Sequence, residues 1–316
     1  SMKLAILDDY LSVALKVADW SPIDQHAQIS VFTEHLGDED QAAKALADFD
    51  IVIVMRERTR FPASLLARLP KLRLLVTTGL RNQVIAMETA RECGIDVCGT
   101  NLLGYPAFEH TWALILALVK KIPLENRSMH EGGWQKGFAG GLRDKTLGIL
   151  GLGKLGSQVA KVGQAFGMET IAWSQNLTEA RAQECNVTRV GKDELLSLSD
   201  IVTIHLVMSE RTRDLIDARE LNLMKASAYL VNTSRAPIIN ETALVDALQR
   251  EVIRGVGIDV FSVEPLPFDH SLRNFDNAIL TGHTGYVTEE NFRLGYREAV
   301  EDVLAWFSGS PIRLLN

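Results

Sequence analysis

Leu147-Gly-Ile-Leu-Gly151-Leu-Gly153-Lys-Leu-Gly156 is the stretch on which the reading of this chain turns. An aliphatic run, glycines spaced as G-x-G-x-x-G and a helical pattern opening at Lys154 follow one another without a gap. Each part has a mechanical reason. Gly151 permits a tight turn, Gly153 lets the backbone approach a pyrophosphate without a Cβ clash, and Gly156 lets the next helix lie close on the strand. The helix N-terminus, entered through Lys154 and Leu155, offers unpaired N–H groups and a positive dipole end to phosphate. In an isolated loop the spacing would be a weak signal. Set between strand and helix it points to a dinucleotide.

Outward from that stretch, short aliphatic runs recur at Lys3 to Leu7, Ile51 to Val54, Leu72 to Val76, Thr170 to Trp173, Ile201 to Ile204, Ala228 to Val231, Val256 to Asp259 and Ala278 to Leu280. Such continuous Val/Ile/Leu runs suit strands buried on both faces, as in parallel sheets covered by helices. Helical periodicity runs from Pro106 to Lys121, Lys154 to Phe166, Thr242 to Arg250 and Glu289 to Phe307. The fold class is α/β, with two Rossmann-like, doubly wound domains. Glycine and asparagine gather at Gly99 to Gly104 and Gly132 to Gly141, where loops or hinges are expected. Residues 1–105 with 287–316 are expected to form a discontinuous substrate-binding domain, and 106–286 the dinucleotide-binding domain, with a ligand cleft between them.

Composition narrows the function. The 316 residues carry 33 Lys plus Arg against 40 Asp plus Glu, a net charge of −7, with no basic run longer than two, so a nucleic-acid partner is not expected. The longest apolar run, Trp112 to Val119, is far short of the roughly twenty residues that span a bilayer. Lys3-Leu-Ala-Ile-Leu7 followed by Asp8-Asp9 is too short and too acidic at its flank for a signal peptide. Cys93, Cys98 and Cys185 form no C-x-x-C pair, so neither a disulfide framework nor a metal site is expected, and a cytoplasmic location fits.

At the ribose end an acid would bind the 2′-hydroxyl of NAD and an arginine the 2′-phosphate of NADP. Ser174 stands where the acid is expected, and no Lys or Arg lies between it and Arg181. NAD is favoured slightly over NADP, with dual use open.

Six segments together resemble the D-isomer-specific 2-hydroxyacid dehydrogenases over essentially the whole length. They are Phe108-Glu-His-Thr-Trp-Ala-Leu, the glycine loop, His205-Leu-Val-Met-Ser-Glu-Arg-Thr, Leu230-Val-Asn-Thr-Ser-Arg-Ala236, Gly257-Ile-Asp-Val-Phe-Ser-Val-Glu-Pro265 and Leu280-Thr-Gly-His-Thr-Gly285. The resemblance implies hydride transfer between a nicotinamide cofactor and a small 2-keto or 2-hydroxy acid. Arg235, just beyond a strand end, would grip planar oxygens in a fork that lysine cannot copy. His283 would give a proton to the carbonyl oxygen in reduction and take it back in oxidation. Glu264, nineteen residues earlier, would fix the imidazole tautomer and favour the imidazolium. Formate dehydrogenases carry Gln at this place in the pattern, so Glu264 argues against formate.

By the same resemblance Asp259 would bind the nicotinamide carboxamide, while Thr233 and His205 belong to cofactor-contacting segments whose contacts are largely backbone. Thr78-Gly79-Leu80-Arg81-Asn82 corresponds to the substrate-carboxylate loop, where successive N–H groups form an anion nest. The sequence departs from the pattern at Ala86, where the family usually has Asp. Met55-Arg-Glu-Arg-Thr59 follows a strand and either lines the cleft or, the favoured reading, is a solvated charged loop, and Trp134 either covers the site or packs between domains. The apolar helix from Pro106 implies a homodimer, since relatives pair through such helices. A second reading, an NAD(H)-sensing module of the corepressor type, would not require the Arg235, Glu264, His283 set.

Overall fold

The computed structural model describes residues 1–316 as two compact units: Ser1–Leu103 with Val287–Asn316, and Gly104–Tyr286. The first holds the strands Met2–Ile6 (β1), Ala27–Val31 (β2), Ile51–Val54 (β3), Leu74–Thr77 (β4) and Asp96–Gly99 (β5), all parallel in the order β2-β1-β3-β4-β5. Val52, Val54, Leu75 and Val97 from this sheet pack with Phe61, Leu65 and Leu66. The helix Glu289–Phe307 returns the chain to this unit and buries Phe292, Tyr296, Val300 and Val303.

The second unit is a seven-stranded parallel sheet of Thr146–Leu150 (β6), Glu169–Trp173 (β7), Thr188–Arg189 (β8), Ile201–Ile204 (β9), Tyr229–Asn232 (β10), Gly255–Ile258 (β11) and Ala278–Leu280 (β12). Its order, β12-β11-β10-β9-β6-β7-β8, reverses beside β6. That reversal matters because ligands of open α/β sheets bind at the carboxyl ends of strands where the order switches. Both faces are covered, which is why the central strands are aliphatic throughout. Leu230, Val256 and Ile258 face a core with Leu221, Leu244 and Leu248, whereas Tyr229, Val231 and Ile149 face Trp112, Ile115, Leu118 and Val159.

Three strands have no counterpart among the aliphatic runs. β2 and β8 are edge strands with exposed or half-exposed positions, and β5 is the opposite edge of its sheet, so none needs a continuous apolar stretch. The helix Ile122–His130 was likewise not expected, since only Ser128 of it is buried. Ala86, the departure noted above, occupies the N-cap of the helix Met87–Glu92 and makes no side-chain cap bond, a position where Asp would accept one.

Candidate active site

The glycine loop closes β6 as its spacing predicts. Gly151 has φ +97°, and a Cβ on it would lie 2.3 Å from the His205 carbonyl oxygen. A Cβ on Gly156 would lie 2.0 Å from the Gly151 carbonyl oxygen, so the helix Lys154–Ala165 starts against its own strand. Gly153, the N-cap, has open space where its Cβ would stand, and the first-turn amides of Lys154, Leu155 and Gly156 point from the helix N-terminus. The loop therefore fits a pyrophosphate. Arg181 braces it from behind, donating Nε–H to Leu152 O at 3.0 Å and Nη2–H to Gly153 O at 3.2 Å. Ser174 lies at the end of β7, half-buried, where no carboxylate stands. Burial pulls the His205 imidazole down to about 4, so it is neutral near the loop, 2.8 Å from Thr203 Oγ1.

Arg235, Glu264 and His283 follow the ends of β10, β11 and β12, three consecutive parallel strands. At roughly 4.8 Å per strand spacing, the three loops leave the sheet within about 10 Å of one another. Asn232 shapes the first loop: its Oδ1 accepts from Ser234 N–H at 2.9 Å and its Nδ2–H donates to Arg235 O at 3.0 Å. Ser234 donates to Ile204 O at 2.8 Å, Thr233 Oγ1 meets Thr111 Oγ1 at 2.9 Å, and Arg235 Nη1–H reaches Ser234 O at 2.8 Å.

His283 Nδ1 lies 2.8 Å from Glu264 Oε2, while Glu264 Oε1 accepts from Phe261 N–H at 3.0 Å. One oxygen thus anchors the carboxylate and the other accepts a hydrogen bond from Nδ1–H, leaving Nε2 outside the pair. The segment beyond Glu264 is tied down by Arg273, which donates to Leu266 O at 2.7 Å and Pro267 O at 2.9 Å. His270, 2.7 Å from Glu241 Oε1, holds it further along. Tyr286 meets the His283 ring edge to face at 5.2 Å.

Asp259 is turned inward, its carboxylate 2% exposed. Oδ1 accepts from Thr281 Oγ1–H and Thr284 N–H, both at 2.7 Å, and Oδ2 from Gly285 N–H at 3.0 Å. Burial pushes the carboxyl up, but the bonds from His110 and Thr281 outweigh it and hold the group below its ordinary range. Its evident work is to shape the His283 loop, with one Oδ2 lone pair remaining for a carboxamide. His283 itself has φ +54°, and the close neighbours of Gly285 are Asp259 and His110. Neither the left-handed backbone nor the His110 contact has a signature in the sequence, although His110 stands within Phe108-Glu-His-Thr.

The substrate-loop candidates lie in the first unit, after β4. Gly79 has φ +93° and gives its N–H to Thr100 Oγ1 at 3.0 Å. None of the loop's hydrogen bonds uses the N–H of Leu80 or Arg81, both exposed, so these two amides are open to an acceptor. Asn82 is buried, donating to Arg56 O at 2.8 Å and Thr77 Oγ1 at 3.0 Å, so its side chain builds the loop and does not face a ligand. The Met55–Thr59 segment is no solvated loop: Arg58 donates to Asp8 O at 2.7 Å and lies over the Tyr10 ring at 4.5 Å, because buried Asp8 gathers these groups around it. Trp134 is 68% exposed.

Residues 112–285 match the NAD binding domain of the D-isomer specific 2-hydroxyacid dehydrogenases. The glyoxylate reductase of Aeropyrum pernix is 37% identical over 81% of this chain and 80% of its own length. The D-3-phosphoglycerate dehydrogenase of a Synechocystis species is 36% identical over 92% of this chain, which spans only 52% of that relative. A crystal structure of a phosphoglycerate oxidoreductase from Vibrio cholerae superposes with a TM-score of 0.92 at 31% identity, covering 98% of this chain and all of the other. With the family's domain matched over more than half its length, on the fold and glycine loop described above, the chain belongs to the D-isomer specific 2-hydroxyacid dehydrogenases.

Proposed function

We propose that this protein moves a hydride between NAD(P) and a small 2-keto or 2-hydroxy acid of the glyoxylate or hydroxypyruvate class, with His283 as proton donor and acceptor. The observation that carries the reading is the His283–Glu264 pair at 2.8 Å, which joins the loops after β12 and β11, beside the β10 loop that carries Arg235. When bound, the reduced nicotinamide supplies the hydride to the carbonyl carbon. His283 Nε2–H then delivers a proton to the oxygen as alkoxide charge develops, and Glu264 stabilises the imidazolium from which that proton comes. Arg235 grips the carboxylate and carbonyl oxygens in a planar fork, and the exposed Leu80 and Arg81 amides of the first unit are the proposed nest for a substrate carboxylate. Oxidation of the hydroxy acid reverses each step.

Gly151, Gly153, Lys154, Leu155 and Gly156 hold the pyrophosphate, and Ser174 and Thr233 line the same strand ends. NAD is the favoured cofactor. The deciding experiment is oxidation of NADH and of NADPH with glyoxylate, pyruvate, hydroxypyruvate and a longer keto acid, and reduction of NAD with 3-phosphoglycerate. Turnover of a short keto acid supports the reading. Silence with every acid and both cofactors would leave a nucleotide sensor instead.

A second copy of the chain is the proposed partner. No helix is long and apolar enough to cross a membrane. Phe138 is 95% exposed beside a groove of about 610 Å³ lined by Leu118, Lys121, Leu124, Tyr229 and Ile279, and Met129 and Trp134 are also exposed. Apolar side chains so placed are what a self-complementary interface buries. The three free thiols suit a cytoplasmic location.

A further inference from the structure

We propose that His110 is a positioning residue for His283, acting through Thr281 and Asp259 to hold the backbone on which the proton-transfer imidazole stands. The proposal rests on the reading of His283 given above. His110 Nε2 lies 2.9 Å from Thr281 Oγ1 and 3.4 Å from Asp259 Oδ1. Thr281 has a single hydroxyl proton, and its 2.7 Å contact with the Asp259 carboxylate requires that proton. The Thr281 oxygen must then accept from His110, so Nε2 carries hydrogen. The tautomer of His110 is thereby fixed by a chain in which each donor is accounted for.

The far end of that chain is the His283 loop. Asp259 accepts the N–H groups of Thr284 and Gly285, the two residues after His283, while His283 N–H donates to Thr281 O at 2.8 Å. His283 is consequently pinned on both sides by Thr281 and Asp259, at a φ of +54° that a non-glycine residue does not keep unaided. His110 comes from a different element, the helix Tyr105–Val119, and is the only contact in this chain of bonds that ties the loop to that helix. A Cβ on Gly285 would lie 3.7 Å from the His110 ring, which shows how closely the loop is seated.

The test uses His110→Leu, His110→Gln and Thr281→Val in the full chain. Steady-state turnover with the best keto acid is compared with cofactor affinity from the fluorescence of bound reduced cofactor. His110→Leu and Thr281→Val are expected to lower kcat by about tenfold or more while cofactor affinity stays within about threefold, because a loop displaced by a fraction of an ångström misplaces the reacting nitrogen. His110→Gln, which keeps a donor near the Nε2 position, is expected to recover most of the lost kcat. A purely structural role would lower thermal stability in His110→Leu without changing kcat per folded molecule, and that result would overturn the proposal. Ring nitrogen NMR at neutral pH separates this from a failure of the functional reading, since it needs no turnover. The expected spectrum shows hydrogen on Nε2 of His110, with His283 ring signals displaced in His110→Leu. Hydrogen on Nδ1 alone would refute the chain of bonds even in an active enzyme.

Discussion

His283 occupies backbone space that few residues other than glycine visit, and it is kept there by a carboxylate that touches its loop only through main-chain N–H groups and a threonine. A sequence shows residue types, and so it showed a histidine, a glutamate and an arginine beyond strand ends. It could not show that Asp259 faces inward or that Asn82 is buried, because nothing in an isolated Asp or Asn says whether its side chain meets a ligand or its own loop. Glu264 was legible through the family resemblance, since an isolated Glu before a proline would otherwise read as solvated. Replacing it by Gln keeps the shape but removes the negative charge that stabilises the imidazolium, favouring a neutral ring whose N–H is a far weaker acid toward an alkoxide. Glu264→Gln is expected to lower kcat for keto-acid reduction about 100-fold, with cofactor affinity nearly unchanged, as measured by stopped-flow oxidation and fluorescence titration.

Among elements, legibility followed burial. β3 and β9, buried at every position, fall on the aliphatic runs residue for residue, since continuous hydrophobicity is what burial on two faces selects. β2 and β8 did not show because an edge strand satisfies only one neighbour and tolerates polar residues along its open side. The helix Lys154–Ala165 shows the reverse dependence, of an element on one residue. Gly156 stands where a Cβ would meet a main-chain oxygen at 2.0 Å, so Gly156→Ala must push the helix from β6 and carry the phosphate-facing amides with it. The expected cost is about 1–3 kcal/mol of stability and a loss of cofactor affinity of about tenfold or more, read by thermal unfolding and cofactor titration. Wild-type affinity in that variant would mean the amides do not meet the pyrophosphate.

At the scale of the whole molecule, the helix Glu289–Phe307 carries a pH-dependent weak point away from the proposed chemistry. Asp302 is fully buried with Oδ2 unpartnered, and burial, with Glu298 and Glu301 adding to it against the pull of Arg313, pushes its carboxyl up to about 7 from 3.8. The folded chain therefore holds a proton that the unfolded chain has released between those values, so stability falls as pH rises across that window and levels off above it. Asp302→Asn has no such proton to lose, and its melting temperature is expected to decline less than that of the wild type between about pH 5 and 8. Parallel curves for the two proteins would show that Asp302 titrates normally. The strand order 2-1-3-4-5 of one sheet and the switch beside β6 in the other were legible only as a class, since pairing between distant segments leaves no local trace. The central claim is that residues scattered from the glycine loop to His283 act as one site. It is tested most directly by single-turnover oxidation of bound reduced cofactor with the best keto acid, in the wild type and in His283→Ala. The expected result is a rate lower by about 10²- to 10⁴-fold with cofactor affinity intact; an unchanged rate in a variant that still binds cofactor would contradict it.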